Sequence, residues 1–297
     1  MPPWSSFEPF IPIGLALGGV YALSGVGMVV LYRATGVLNL AFGAVGAMGA
    51  LIAWSMINQY QIASGWAYAA CILFGGVITL VYGMIFGRAL AARDPLVKAA
   101  ATLGLALLLL GVMNRLWPSQ ITRSISLESD NSGFNVGQVS IDWTQVTALA
   151  FAFVMTVGTT IFLRVTKLGT AMRALADDRE ITATLGVPVR RVEAAAWFGS
   201  GLLSGAAGLL LADLQTLASD ALTFLVIFTL SAALIARLRS LWVAFVAALV
   251  IGVVDNLITP ISSITNYRDM TPFVLAVAAL LFFARGRQYS FARGGIR

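Results

Sequence analysis

Histidine is absent from the sequence, and cysteine occurs once, as Cys71 inside an apolar run. Without histidine, zinc and haem sites lose their usual ligand, and Ser-His-Asp or Cys-His chemistry loses its base. One cysteine excludes a disulfide within the chain, and its apolar flanks make Cys71 a small packing residue. Charge is scarce too. Only 11% of the 297 residues are Asp, Glu, Lys or Arg, against roughly 25% in a soluble domain, so the chain cannot clothe a water-facing surface. Met1 to Phe10 contain no lysine or arginine. They lack the basic n-region of a cleaved signal peptide, so the first apolar run is expected to be retained as a span. No G-x-x-x-x-G-K-[ST] stretch occurs, which leaves no ordinary cradle for ATP phosphates. No paired carboxylates lie within apolar runs, which argues against a membrane enzyme. No cofactor and no metal site are expected.

What is present is apolar. Hydrophobic residues make up 59% of the chain and the mean hydropathy is +0.88. Nine apolar runs cover roughly 9–31, 36–57, 66–87, 96–117, 144–164, 192–213, 220–236, 240–261 and 270–284. At about 20 residues per crossing, they predict an all-α polytopic transmembrane bundle of eight to nine spans. Residues 1–297 then form a single transmembrane domain, with no room for a second, soluble one. Two runs leave the count open. The second begins with Thr35, Gly36 and Asn39 and reads as a broken or re-entrant segment, and the last is short for a span.

The net charge of +6 is not a nucleic-acid signal, because the basic residues sit in short connections between apolar runs. With nine crossings and the amino terminus outside, sixteen of the 19 basic residues face the cytoplasm, all but Arg115, Arg123 and Arg268. The positive-inside rule selects that orientation. Two connections stand out by length. Residues 118–143 are polar and are expected to cover an external mouth. Residues 165–191 are the most charged stretch and are expected to be cytoplasmic. The spacings Gly14-x-x-x-Gly18, Gly83-x-x-x-Gly87 and Gly201-x-x-x-Gly205 permit close helix packing in a membrane.

The 165–191 connection carries helix punctuation. Asp177 with Glu180 predicts a capping box, followed by one to two turns from Arg179 to Leu185. Gly186 suits the left-handed position that ends a helix, and Pro188 forbids continuation. Ile181 and Leu185 share a face at i and i+4. A second short helix is predicted over 170–176, bearing Met172 and Arg173. Taken alone, the loop reads either as a solvated positive-inside connection or as a docking element, since a short helix persists only when it packs on something.

Ionisable residues within spans are costly and point to function or pairing. The candidates are Asp255 beside Asn256, with Asp213 and Glu193 nearer span ends. Asp255 reads equally as a residue lining or bracing a solute path and as a partly hydrated residue near the outer interface. Asn39 reads as the cap of a half-helix whose amino end faces a solute carboxylate, or as part of an interfacial turn.

The stretch from Met172 through Arg173, Asp177, Asp178, Arg179, Glu180, Ile181 and Leu185 to Gly186 resembles the coupling-loop motif of ABC permeases of the branched-chain amino acid type. The start of the chain agrees: Gly14-Leu15-x-Leu17-Gly18, Tyr21-Ala22-Leu23, then Gly36-Val37-Leu38-Asn39-Leu40-Ala41-Phe42-Gly43. The resemblance covers most of the chain. It departs from the family at Phe42, where histidine is frequent. It departs also at 236–240, where a glycine-rich turn is usual, and at 283–286, where the family carries proline. The resemblance implies a non-enzymatic permease subunit of a bacterial inner-membrane importer for branched-chain amino acids or a related small polar solute. It further implies a homologous second permease, two cytosolic ATP-binding subunits and an extracytoplasmic solute-binding protein, all meeting in the lipid bilayer. The loop from Met172 to Gly186 would seat on an ATPase, while Asn39, Asp255 and Asn256 would lie on the solute path. A stand-alone secondary transporter or channel is the alternative.

The charge asymmetry makes a prediction about topology. In a Cys71→Ala background, a cysteine at position 179 should resist impermeant thiol reagents in intact cells and react once the membrane is opened. Labelling from outside would overturn the orientation.

Overall fold

The computed structural model describes residues 7–91, 93–118, 123–125, 133–136, 139–215, 217, 223–261 and 265–293. Each of the nine apolar runs contains a helix. They form α1 (Phe10–Thr35), α2 (Phe42–Asn58), α3 (Ser64–Ala91), α4 (Pro95–Leu116) and α5 (Trp143–Val165) in the first half. The second half adds α8 (Val189–Leu214), α9 (Leu225–Ile235), α10 (Leu241–Leu257) and α11 (Thr271–Arg293). Between α5 and α8 lie two further helices, α6 (Lys167–Asp177) and α7 (Arg179–Thr184). A 3-10 helix, Thr265–Met270, precedes α11.

Local chemistry sets many of the boundaries. Gly36 ends α1 in the left-handed region at φ 67, its N–H donating to the Tyr32 carbonyl at 2.7 Å. Pro95 opens α4, where its missing N–H costs nothing. Ser240 caps α10 by accepting from the Val243 N–H at 3.3 Å. Residues 37–41 are not helical, so α2 starts at Phe42, later than the apolar run suggests. Only 17 residues long, α2 reaches about 25 Å at 1.5 Å per residue, short of the roughly 30 Å hydrocarbon core. The run at 220–236 yields a helix of just 11 residues, about 16 Å, or half a crossing. Residues 220–222 of that run lie outside the described segments. The 118–143 connection, read from the sequence as a polar external cover, contains an antiparallel ribbon that pairs β1 (Gly133–Val136) with β2 (Val139–Asp142), Phe134 opposite Ile141.

The packing is organised around α1. Its most apolar 18-residue window is 89% buried, whereas α3, α4 and α5 bury under a third of theirs and present apolar faces outward. Glycines make this possible. A Cβ on Gly14 would stand 2.8 Å from the Val253 Cα, and one on Gly18 would stand 2.9 Å from the Leu249 Cα. Thus α1 and α10 run antiparallel in near-backbone contact. Against α3, α8 uses Gly205, where a Cβ would lie 2.7 Å from the Cys71 carbonyl oxygen. Hydroxyls fasten the same seams: Thr79 donates towards the Trp197 carbonyl at 2.9 Å, and Ser204 to the Phe42 carbonyl at 2.6 Å. Phe42 is fully buried and lies over Gly27. Contacts between successive helices place the connections 36–41, 93–94, 166–188 and 236–240 at one end of the bundle, called here the α6 end. The ribbon, the 3-10 helix and the amino end of α1 lie at the other, the ribbon end.

The turn at 236–240 adopts glycine-like geometry without glycine. Arg237 and Leu238 have φ of 52 and 55, each a conformation that costs a non-glycine residue roughly 1–2 kcal/mol. Hydrogen bonds within the turn and from α1 hold it. The Arg237 and Leu238 N–H groups donate to the Leu234 and Ala233 carbonyls at 2.8 Å, and Arg33 of α1 donates to the Arg239 carbonyl at 3.3 Å.

The three small-residue spacings are not equivalent. Gly14 and Gly18, and Gly201 and Gly205, sit in helix seams. In the third pair, Gly83 meets the Trp197 ring but nothing approaches within 4 Å of a Cβ on Gly87. Gly205→Ala should therefore destabilise the detergent-solubilised chain by about 1–3 kcal/mol through overpacking. Gly87→Ala should stabilise it by up to about 1 kcal/mol through helix propensity. Thermal unfolding of the two variants tests this; equal shifts would contradict the seam assignment.

Candidate functional site

Three constellations carry the polar chemistry of the bundle. The first is the α6–α7 connection. Thr166 caps α6 by accepting from the Gly169 N–H at 2.9 Å. Met172 and Leu175 turn inward and are 5% and 6% exposed. They bind α6 to the ends of the bundle helices, so Met172 is an anchor of the loop and not part of its outer face. Arg173 follows on the same helix, its guanidinium 3.4 Å from the Thr170 hydroxyl.

The capping expectation needs correcting. α6 continues through Asp177, so the cap of α7 is Asp178, in extended geometry, whose carboxylate accepts from the Ile181 N–H at 2.9 Å. Glu180 then falls one position too early for a capping box and lies in the first turn, where a negative charge suits the helix dipole. Gly186 takes the left-handed position at φ 82. Thr182 is the buried residue of α7, while Ile181 and Leu185 are 60% and 77% exposed. An ion pair of 2.8 Å between Arg179 and Glu193 ties α7 to α8.

Beside this connection opens a cavity of about 850 Å³. Arg33, Lys98, Arg179, Arg237 and Arg239 line it together with Asp177. Arg33 comes from the end of α1, Lys98 from the first turn of α4, and Arg237 and Arg239 from the 236–240 turn, so only the last two are neighbours in the sequence.

The second constellation is the 36–41 turn. Asn39 is fully buried, and its carboxamide oxygen accepts from the Ala41 N–H at 3.0 Å. It therefore braces the turn; Ala41, not Asn39, holds the cap position of α2. Its Nδ2 is buried and has no hydrogen-bond partner among the described residues. Thr102 of α4 straps the turn from the other side. Its hydroxyl donates to the Leu38 carbonyl at 2.8 Å and accepts from the Leu40 N–H at 3.1 Å.

The third lies at the ribbon end. Asp255 is 0% exposed. Its carboxylate accepts from Arg268 at 3.0 and 2.7 Å, from Nε and Nη2. Asn256 assists, its side-chain oxygen 3.4 Å from Arg268 Nη2 and its amide donating to the Gly252 carbonyl at 2.9 Å. The pair clamps the 3-10 helix to α10. Sequence reasoning placed Arg268 on the outer side, with Arg115 and Arg123, and did not link it to Asp255. A clue was available: a carboxylate within a span demands a partner, and Arg268 is the first cation after α10. Nearby, Arg123 is buried, donates to the Pro118 carbonyl at 3.0 Å and lies 5.2 Å from the Trp54 ring centre.

Residues 10–282 match the family described as branched-chain amino acid transport system / permease component. The chain belongs to this family. Among its relatives is the high-affinity branched-chain amino acid transport system permease protein LivH of Escherichia coli, 26% identical over 288 residues, covering 92% of each chain. The corresponding permease protein BraD of Pseudomonas aeruginosa is 25% identical over 288 residues, again 92% of each. A probable branched-chain amino acid transport permease protein, LivH of Methanocaldococcus jannaschii, is 24% identical over 241 residues, 80% of this chain and 76% of that one. This permease is thus a multi-pass membrane protein and a transport component, with five helices long and apolar enough to cross a bilayer and four shorter apolar ones among the described residues.

The two adjacent aspartates of the permease separate cleanly by experiment. Asp178→Ala removes a cap contributing about 1 kcal/mol, so hydrogen exchange at the Ile181 amide should rise roughly fivefold. Asp177→Ala should leave that amide unchanged. The reverse pattern would reinstate Asp177 as the cap.

Proposed function

We propose that this chain is the permease subunit of a bacterial inner-membrane ABC importer that moves branched-chain amino acids or a related small polar solute. It works with a homologous second permease, two cytosolic ATP-binding subunits and an extracytoplasmic solute-binding protein. Residues 1–297 serve as one transmembrane domain, with the amino terminus outside and the carboxyl terminus and the α6 end in the cytoplasm. The relatives' names supply the solute class, and the basic residues at the α6 end supply the orientation.

One observation carries the coupling role. The α6–α7 connection is rigidly mounted yet presents an uncovered apolar pair. Met172 and Leu175 root α6 in the bundle, Asp178 and Gly186 define both ends of α7, and Arg179 pins it to α8. Ile181 and Leu185 nonetheless project outward. A mount of this kind transmits force: whatever grips Ile181 and Leu185 moves α6, and α6 touches α1, α5 and α8. In this reading an ATP-binding subunit supplies the grip, and its closure is relayed to the spans. Asn39, at the start of α2, and the Asp255–Asn256 step of α10 lie on the solute path.

The test is retention of the ATPase on affinity-tagged permease, followed by solute uptake. Ile181→Ala with Leu185→Ala should release the ATPase or uncouple hydrolysis from uptake. A buried leucine contributes about 2 kcal/mol at the lower end of its range, so a roughly thirtyfold weaker association is expected for each anchor. Gly186→Val should act alike by denying the left-handed turn. Membrane insertion should be normal, because the pair lies outside the apolar spans. A double variant that keeps its ATPase and transports at the wild-type rate would overturn the coupling role. Uptake into liposomes by the chain alone would favour the stand-alone transporter.

A further inference from the structure

The connections at the α6 end enclose the cavity of about 850 Å³ that Arg33, Lys98, Arg179, Arg237 and Arg239 share with Asp177. Positive charge on one face is ordinary for a membrane protein, but loop cations left to themselves spread into water. Here they converge on one concavity. A Cβ on Gly36 would stand 3.7 Å from Lys98 Nζ, so the first turn of α4 lies against the end of α1. Arg33 reaches the 236–240 turn and donates to the Arg239 carbonyl at 3.3 Å. That turn brings in Arg237 and Arg239 while holding Arg237 and Leu238 at φ of 52 and 55. Backbone strain of this kind concentrates where it positions functional groups.

The protein does not balance this charge itself. Among the described residues, Arg33, Lys98 and Arg239 enter no ion pair, and Arg179 pairs with Glu193. Besides Asp177, the carboxylates at this end are Asp94, Asp178, Glu180 and Glu193. Asp178 is engaged at the cap of α7 and Glu193 by Arg179. Asp94 and Glu180 are exposed and outside the lining. Glu128, Asp130 and Asp220 lie outside the described segments, in the stretches between α4 and β1 and between α8 and α9, and both stretches leave helices at the ribbon end.

We infer that this cavity is a binding site for a phosphate-bearing anion. The inference is independent of the transport reading. Five cations against one carboxylate in the lining call for more than one negative charge. A carboxylate brings one, whereas a phosphate group brings up to about two on three acceptor oxygens. Guanidinium forks bind such oxygens in pairs, and a lysine ammonium adds a point charge. A zwitterionic solute would instead set its ammonium among cations. The phosphate group is common to two sources: the headgroup of an anionic phospholipid, which basic pockets at a membrane surface attract, and a soluble phosphate or pyrophosphate. Leu175 and Ala176 line the same cavity beside Asp177, so a bound anion fastens the α6–α7 junction to α1, α4 and the 236–240 turn.

The full chain in phosphatidylcholine nanodiscs is titrated with sodium pyrophosphate and followed by calorimetry and thermal unfolding. The wild type should bind saturably and melt at a higher temperature with pyrophosphate present. Lys98→Gln with Arg239→Gln removes two lining cations that hold no ion pair, and should weaken binding at least about tenfold. Lys98→Arg keeps the charge and should bind as the wild type does. Arg164→Gln with Lys167→Gln removes the same charge from exposed cations at that end that do not line the cavity. Screening by salt should hold its effect below about twofold. Native mass spectrometry after adding phosphatidylglycerol to the nanodiscs separates the sources. If a lipid headgroup fills the cavity, the wild type should retain phosphatidylglycerol and the Lys98–Arg239 variant should lose it. If the anion is soluble, both should retain it equally while pyrophosphate binding still distinguishes them.

The site is overturned if the wild type shows no saturable pyrophosphate binding and retains phosphatidylglycerol no better than the Lys98–Arg239 variant. Equal weakening by the two double variants would also overturn it, because the attraction would then be diffuse surface charge. A poly-glutamate peptide provides the last control. If it alone binds, and is lost from the Lys98–Arg239 variant, the face meets an acidic protein segment and the phosphate site falls.

Discussion

The bundle depends on backbone-to-backbone contact at glycine. Lipid tails are as apolar as leucine, so no water is released when two membrane helices meet, and close packing must supply the attraction. Gly14 and Gly18 of α1 let α10 approach until a Cβ at Gly18 would stand 2.9 Å from the Leu249 Cα. Gly205 of α8 does the same against α3. The polar chemistry inherits its position from these seams. Asp255 lies three residues beyond Gly252, and a Cβ on Gly252 would stand 2.5 Å from the Gly18 Cα. Tyr21 lies on the same helix between Gly18 and Gly25. The ribbon-end cavity that Tyr21 and Asp255 line is therefore held by the α1–α10 contact, and widening that contact would separate the two.

The two ends of the bundle handle charge differently. At the ribbon end a buried carboxylate pairs with Arg268 at 2.7 Å, and the Asn256 side-chain oxygen also approaches that guanidinium. Burial there makes the pair obligatory, because either partner alone would be stranded in apolar surroundings. At the α6 end, Arg33, Lys98, Arg179, Arg237 and Arg239 share the lining of an open cavity with Asp177. Water reaches such a cavity and screens the repulsion. The first arrangement braces the 3-10 helix against α10, and the second leaves charge open at the α6 end. The strained turn at Arg237 and Leu238 contributes two of the residues lining that face, and Arg33 of the central helix holds it by a hydrogen bond.

Properties that depend on a few neighbouring residues were legible in the sequence. Each of the nine apolar runs contains a helix, because sustained hydropathy needs only the local chain and a lipid solvent. Gly186 lies in the left-handed region, as its position ahead of Pro188 implied. The short helix after Arg179 and the one before it both form, since caps and stops act within one turn. Where two local solutions compete, sequence reading slipped by one residue. Asp177 and Asp178 are equally good caps, and the extra length of α6, rooted by Met172 and Leu175, passes the role to Asp178. The hairpin within 118–143 was missed because its strands of four residues each are too short for an alternating pattern to register.

The sequence by itself determined a membrane bundle, its helices, the ends of its loop helices and the family. Tertiary structure alone decided which glycines form seams, that α9 is half a span long, and that Arg268 belongs to Asp255. Gly87 and Gly205 are indistinguishable as letters, yet one faces open space and the other a neighbouring backbone. Hydropathy and capping are set by residues a few positions apart. Pairing of charges and seating of glycines depend on which helix faces which, and that is settled only when all the helices have packed.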